Sequence, residues 1–102
     1  MHVISRKLLK EFWEKHPDAE DYLKKWFAVV KKARWQDIAQ VRRIFSSADA
    51  VRVKSGRNAT VFNVKGNKYR LITLIAYEHG RVFTKQVLTH SEYSRGKWKD
   101  TL

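Results

Sequence analysis

Arg70, Lys85, His90 and Tyr93 are the side chains of this 102-residue sequence best suited to chemistry. They are the groups that metal-free RNA cleavage requires. A base takes the proton from the 2′-hydroxyl, cations stabilise the extra negative charge on the phosphorane, and an acid protonates the departing 5′-oxygen. Histidine serves as acid or base near neutral pH, arginine offers a fixed bidentate charge to phosphate, and tyrosine donates a proton or stacks on a base. With ordinary pKa values near ~6.5 for His and ~10 for Tyr, the assignment of acid and base stays open. Each residue also has a structural alternative: Arg70 paired with Glu92 or a helix carboxylate, His90 capping a helix turn, Tyr93 packed on a sheet, Lys85 facing solvent from a strand. Around them Lys54, Arg57, Asn63, Lys68, Arg81, Arg95, Lys97 and Lys99 form a candidate RNA-binding surface.

Other chemistries lack their parts. There is no cysteine, hence no disulfide framework, thiol nucleophile or thiolate zinc site. No glycine-rich phosphate loop, HExxH or GxSxG motif is present. Two-metal nuclease chemistry needs clustered carboxylates, and residues 51–102 hold only Glu78, Glu92 and Asp100. The expected metal and cofactor set is therefore none.

The formal charge is +12, and it is uneven: residues 1–50 carry 11 basic and 7 acidic side chains, residues 51–102 carry 11 and 3. A polyanionic partner is expected to meet the C-terminal half. A chain of this length builds one hydrophobic core, so residues 1–102 are expected to form a single domain. No run approaches the ~18 apolar residues of a membrane span and no signal-peptide pattern opens the chain, which points to a cytoplasmic protein without a membrane partner.

The elements that must position the site follow from periodicity. Val3 and Ile4 suggest a short strand. Leu8, Leu9, Phe12 and Trp13 recur at helical spacing between a Ser5 cap and Pro17. Leu23, Trp26, Phe27 and Val30 mark a second helix capped by Asp18, with Lys31 and Lys32 at its negative end, and Ile38, Val41 and Phe45 mark a third beginning near Gln36. Lys24, Lys25, Arg42 and Arg43 read as solvated helix faces. Trp13, Trp26 and Trp35 read as core, whereas Trp98 either stacks on RNA or docks the tail.

From Asp49 the period becomes two. Val51 and Val53 suggest a short strand, and 60–65, 68–78 and 81–89 read as three strands joined by two-residue turns at Gly66-Asn67 and His79-Gly80. Counting outward places Asn63 opposite Arg70, Leu74 opposite Lys85 and Arg70 opposite Thr89. One sheet face then carries Val61, Ile72, Leu74, Ala76, Phe83 and Val87 with Asn63, Arg70, Lys85 and Thr89; the other carries Phe62, Val64, Leu71, Ile75 and Leu88 with Tyr69 and Tyr77. The expected class is α+β, with N-terminal helices packed on an antiparallel sheet and a cleft where Asn63, Arg70 and His90 meet.

Two linked segments make the reading more specific. Residues 61–72, VFNVKGNKYRLI, and 85–93, KQVLTHSEY, resemble the HigB toxin family within the RelE-like group, in which an FNxxGNxYRL segment precedes a final strand ending in THxEY. Phe62, Asn63, Gly66, Asn67, Tyr69, Arg70 and Leu71 match the first, and Thr89, His90, Glu92 and Tyr93 the second. The resemblance implies a RelE-like fold and an endoribonuclease that cuts mRNA in the ribosomal A site by metal-independent 2′-hydroxyl attack. It further implies contact with the ribosome and its RNA, neutralisation by a HigA-type helix-turn-helix antitoxin, and DNA contact only through that antitoxin. By position, Arg70 becomes the phosphate and transition-state cation, Lys85 the basic residue of the last strand, and His90 and Tyr93 the C-terminal catalytic segment. The chain departs at Ser94, where members commonly carry Asp, and at Lys85, where Arg is common and bidentate contact is lost. A noncatalytic RNA-binding or ribosome-associated module using the same basic face is the alternative. A DNA-binding regulator fits less well, because no helix concentrates base-reading side chains.

Overall fold

The computed structural model describes residues 1–102. Strand β1 (His2–Ile4) leads through Ser5 into helix α1 (Arg6–Lys15), and a 3-10 turn (Pro17–Ala19) reverses the chain into α2 (Glu20–Lys32). Ser5 adopts a left-handed conformation with φ 75° and its hydroxyl caps nothing, so the helix starts where expected without the expected cap. Asp18 also fails to cap α2; Pro17 builds the 3-10 turn there and leaves the Asp18 carboxylate free for another partner. Helix α3 (Ile38–Ile44) starts after Asp37, whose carboxylate accepts from the Gln40 N–H at 3.0 Å, a regular N-cap.

Strands β2 (Asp49–Arg52), β3 (Asn58–Val64), β4 (Tyr69–Ala76) and β5 (Arg81–Thr89) follow, then α4 (His90–Arg95) and a 3-10 turn (Lys97–Thr101). The sheet order is β1-β5-β4-β3-β2. Strands β2 to β5 form the expected antiparallel meander, but β1 runs parallel to β5, so the sheet is mixed. Parallel pairing of β1 and β5 requires a long connection, and here it is residues 5–80, which hold the three helices and strands β2 to β4.

The β3–β4 hairpin has the expected register, with Asn63 opposite Arg70. Lys65 and Gly66, at φ 55° and 65°, are the left-handed residues of its turn, and glycine takes that conformation without steric cost. The β4–β5 hairpin does not. Residues 77–79 form a 3-10 turn closed by Gly80, so Ala76 faces Arg81 and Leu74 faces Phe83. A bulge then shifts the ladder between Ile72 and Thr73; Thr73 faces Thr84, Ile72 faces Gln86, and Arg70 faces Leu88 instead of Thr89. Lys85 is the extra residue and pairs with none on β4, correcting its expected place opposite Leu74. The shift exchanges Val87 and Leu88 between faces: Val87 packs beneath the helices and Leu88 beneath the tail.

The helices cover one sheet face, where Leu9, Leu23, Trp26, Val30 and Val41 meet Phe62, Val64, Leu71 and Val82 in the main core. The opposite face holds a smaller cluster of Val53, Ala59, Val61, Ile72 and Leu74 roofed by Trp98. Trp13, Trp26 and Trp35 are core residues as expected, and Trp98, 4% exposed, docks the tail rather than facing outward. No helix is long and apolar enough to cross a membrane.

Candidate functional site

Arg70 sits one residue inside β4, on the face roofed by the C-terminal tail, and is 9% exposed. Its Nη1 donates to the Tyr69 carbonyl and its Nη2 to Asn67 Oδ1, both at 3.1 Å. Its guanidinium lies 5.3 Å from the centre of the Tyr93 ring. No carboxylate pairs with it. The structural alternative of an Arg70–Glu92 pair is excluded because Glu92 is used elsewhere: in a capping box its carboxylate accepts from the Thr89 N–H at 2.9 Å while Thr89 Oγ1 accepts from the Glu92 N–H at 3.2 Å. Arg70 is thus a buried cation held by two neutral acceptors, with N–H groups to spare for an incoming anion.

Tyr93 projects from α4 between Arg70 and Trp98. Its ring stacks on the Trp98 indole at 5.3 Å and 17° between planes, and Trp98 Nε1 donates to the Tyr93 carbonyl at 3.1 Å. Burial pushes the phenol pKa up, Asp49 adds to the rise, and Arg70 opposes it. The phenol therefore stays protonated at neutral pH. His90 opens α4 one turn before Tyr93, so the two share a side of the helix. Its backbone N–H donates to the Lys68 carbonyl at 3.0 Å while the side chain is exposed without a hydrogen bond. The structural alternative for His90, a helix cap, falls instead to Thr89.

The segment 67–70 ties these parts together. Asn67 holds Arg70, the Lys68 carbonyl receives His90, and the Lys68 ammonium and Tyr69 hydroxyl both bind Asp18, the latter at 2.8 Å. These two hydrogen bonds lower the Asp18 pKa. Phe12 of α1 and His16 just after it brace the Tyr69 ring. Asp18 was legible only as a helix cap and Asn67 only as a turn residue. Their contacts depend on a loop 50 residues away and on how the turn folds back, and neither leaves a local signal.

The remaining residues divide. Asn63 is half-buried opposite Arg70. No hydrogen bond or cation–π contact joins Lys85 to Arg70, His90 or Tyr93, and its ammonium lies 5.6 Å from the Phe83 ring centre. It borders an open groove of about 520 Å³ lined by Gly56, Arg57, Asn58, Leu74 and Phe83 among others. Lys54 and Lys99 meet where the Lys54 N–H donates to the Lys99 carbonyl at 3.0 Å, and Arg57 Nε donates to Ser55 Oγ at 3.2 Å nearby. Arg95 and Lys97 are exposed on the tail. Lys68 has its ammonium engaged by Asp18. Arg81 stands at the opposite end of β5 from Thr89, about 26 Å away at ~3.3 Å per residue. The eight candidate RNA contacts therefore do not form one stripe. No group of three or more His, Asp or Glu side chains is placed to hold a metal ion.

Comparison with known proteins places the chain among toxins. Residues 19–96 match the family model described as HigB_toxin, RelE-like toxic component of a toxin-antitoxin system. The mRNA interferase toxin HigB of Escherichia coli K12 is 29% identical over 93 residues, covering 91% of this chain and 88% of that protein. The mRNA interferase HigB of Shigella flexneri has the same identity and coverage. That of Escherichia coli O6:H1 is 27% identical over 95 residues, covering 93% and 90%. With the family model spanning most of the chain, including both the Arg70 hairpin and the His90–Tyr93 helix, the chain belongs to the HigB family of RelE-like toxins.

Proposed function

We propose that this protein is an endoribonuclease that cleaves mRNA in the ribosomal A site by 2′-hydroxyl attack, without a metal, and is neutralised by a HigA-type antitoxin. The carrying observation is Arg70, a buried guanidinium with no carboxylate partner. An unpaired buried charge costs stability unless a ligand compensates it, and a phosphodiester supplies the planar oxygen pair a guanidinium fits. Relatives named mRNA interferases support the substrate class.

In this reading Arg70 binds the scissile phosphate and meets the charge that grows on it. The 2′-oxygen attacks phosphorus and its proton passes to a base; the bond to the 5′-oxygen breaks and that oxygen takes a proton from an acid. Tyr93, kept protonated by burial, is placed beside Arg70 to serve as the acid, and exposed His90 one turn away serves as the base. Lys85 and the Phe83 groove hold message further along the sheet, and the surrounding lysines and arginines hold ribosomal RNA.

Induced expression tests it. The expected result is growth arrest with cuts confined to translated messages, relieved by Arg70→Ala and by co-expression of an adjacent helix-turn-helix gene. Salt-sensitive RNA binding with intact messages would instead identify a noncatalytic binding module.

A further inference from the structure

Asp18 stands in the 3-10 turn that joins α1 to α2, and its side chain does not cap α2. Its two carboxylate oxygens go instead to consecutive residues 50 and 51 positions further along the chain: Oδ2 accepts from the Lys68 ammonium, and Oδ1 from the Tyr69 hydroxyl at 2.8 Å. The main chain of the same two residues serves the candidate site. The Lys68 carbonyl accepts from the His90 N–H at 3.0 Å, and the Tyr69 carbonyl accepts from Arg70 Nη1 at 3.1 Å. Lys68 and Tyr69 therefore each hold Asp18 by the side chain and a site residue by the carbonyl.

These ties meet across the sheet. Successive side chains of a strand alternate between faces, so Tyr69 points beneath the helices, where its ring joins the main core, while Arg70 points to the tail side against Tyr93. A shift of the backbone at Tyr69 moves both. Tyr69 opens β4 just after the turn at Lys65 and Gly66, and a strand end beside a turn frays unless side chains hold it. The buried Tyr69 supplies the stronger hold, because its hydroxyl bonds an ionised acceptor; the exposed Lys68 pair adds little by itself. We propose that Asp18 is a positioning residue for cleavage: from the turn between the helices it fixes, through Tyr69 and Lys68, where Arg70 and His90 stand. The inference rests on the reading of Arg70 and His90 as groups of the cleaving site. Asp18 bonds neither of them, so its loss acts on their placement and not on the binding of message. Misplacement by about 1 Å lowers a rate by up to about 10²-fold.

The test follows single-turnover cutting of a defined message on programmed ribosomes against toxin concentration, at a temperature where every variant is folded. Asp18→Ala is expected to lower the maximal rate at least about tenfold, with the half-saturating concentration within about threefold of the parent. Asp18→Asn keeps an acceptor oxygen for the Tyr69 hydroxyl and should return the rate to within about threefold of the parent. Leu23→Ala, a core truncation, should keep the parental rate per folded molecule. A loss confined to half-saturation would make Asp18 a message contact, and an equal loss in Asp18→Asn would make charge the cause; either overturns the proposal, as does a loss shared by Leu23→Ala. Parental cutting by Arg70→Ala would overturn the reading of the site and this inference with it. Parental cutting by Asp18→Ala beside an inactive Arg70→Ala would overturn the inference alone. A second readout needs no cleavage: hydrogen exchange at the His90 amide, which bonds the Lys68 carbonyl, should quicken at least about tenfold in Asp18→Ala while the Val30 amide of α2 is unchanged. A His90 amide that exchanges as in the parent would overturn the positioning role whether or not the protein cuts messages.

Discussion

The two faces of the sheet are built to different ends. Beneath the helices, Leu9, Leu23, Trp26, Val30 and Val41 interlock with Phe62, Val64 and Leu71, all at most 1% exposed. On the other face the cover is one short helix and a 3-10 turn, the cluster is small, and its end holds Arg70 among neutral partners. Packing on the first face supplies the rigidity that the second face uses to hold an uncompensated charge. Strain at a binding site is tolerated when the surrounding structure over-determines it.

Paired substitutions test that division most strongly. Leu23→Ala is expected to cost about 3–4 kcal/mol of stability, read as a fall in unfolding midpoint, with cleavage unchanged while the protein stays folded. Arg70→Ala should do the reverse, cutting cleavage by about 10²–10³-fold with stability within about 1 kcal/mol of the parent. If Arg70→Ala unfolds the protein, the two faces are not separable.

Trp98→Ala is the next largest effect. It removes the roof of the tail cluster and the ring behind Tyr93, so the tail should open locally at a smaller global cost than Leu23→Ala. Hydrogen exchange should quicken at the Lys54 amide, which bonds the tail at Lys99, and cleavage should fall with it. Thr89→Ala, which removes half of the capping box, should cost about 1 kcal/mol. Glu92 gives this last region a pH signature. Hydrogen bonds from the Thr89 backbone and side chain hold its pKa below the ordinary 4.5. Its stabilisation is therefore present above that value and lost as pH falls through the depressed one. Glu92→Gln should flatten acid unfolding in that window, with the smallest effect of the series.

How far the sequence was legible follows the same division. Helical stripes and the β3–β4 turn rest on local periodicity and on one glycine, and the helix-side face was read correctly at Phe62, Val64, Leu71 and Ile75. The β4–β5 register was misread because His79-Gly80 resembles a tight turn, whereas the chain spends Tyr77, Glu78 and His79 in a 3-10 turn. Arg70, Tyr93 and His90 were grouped from side-chain chemistry and from the resemblance together, and the structure sets Arg70 against the Tyr93 ring with His90 one helical turn away. Lys85 was grouped with them by a register that the bulge breaks. The tie from Asp18 to Lys68 and Tyr69 left no sign because its members are distant in sequence and ordinary in type.

The bulge at Lys85 also acts as a parity switch. Before it, even-numbered Val82 and odd-numbered Val3 and Leu71 share the helix side; after it, odd-numbered Val87 joins them and even-numbered Leu88 turns to the tail. The two halves of β5 follow opposite alternation rules, so a one-residue deletion at Lys85 would restore a straight ladder and leave Val87 and Leu88 on their present faces, whereas a one-residue deletion elsewhere in the strand would turn one half inside out. Lys85 is therefore the one position of β5 where the strand can lose a residue without a change of facing, and an alignment gap falling there marks a straightened strand rather than a reversed one.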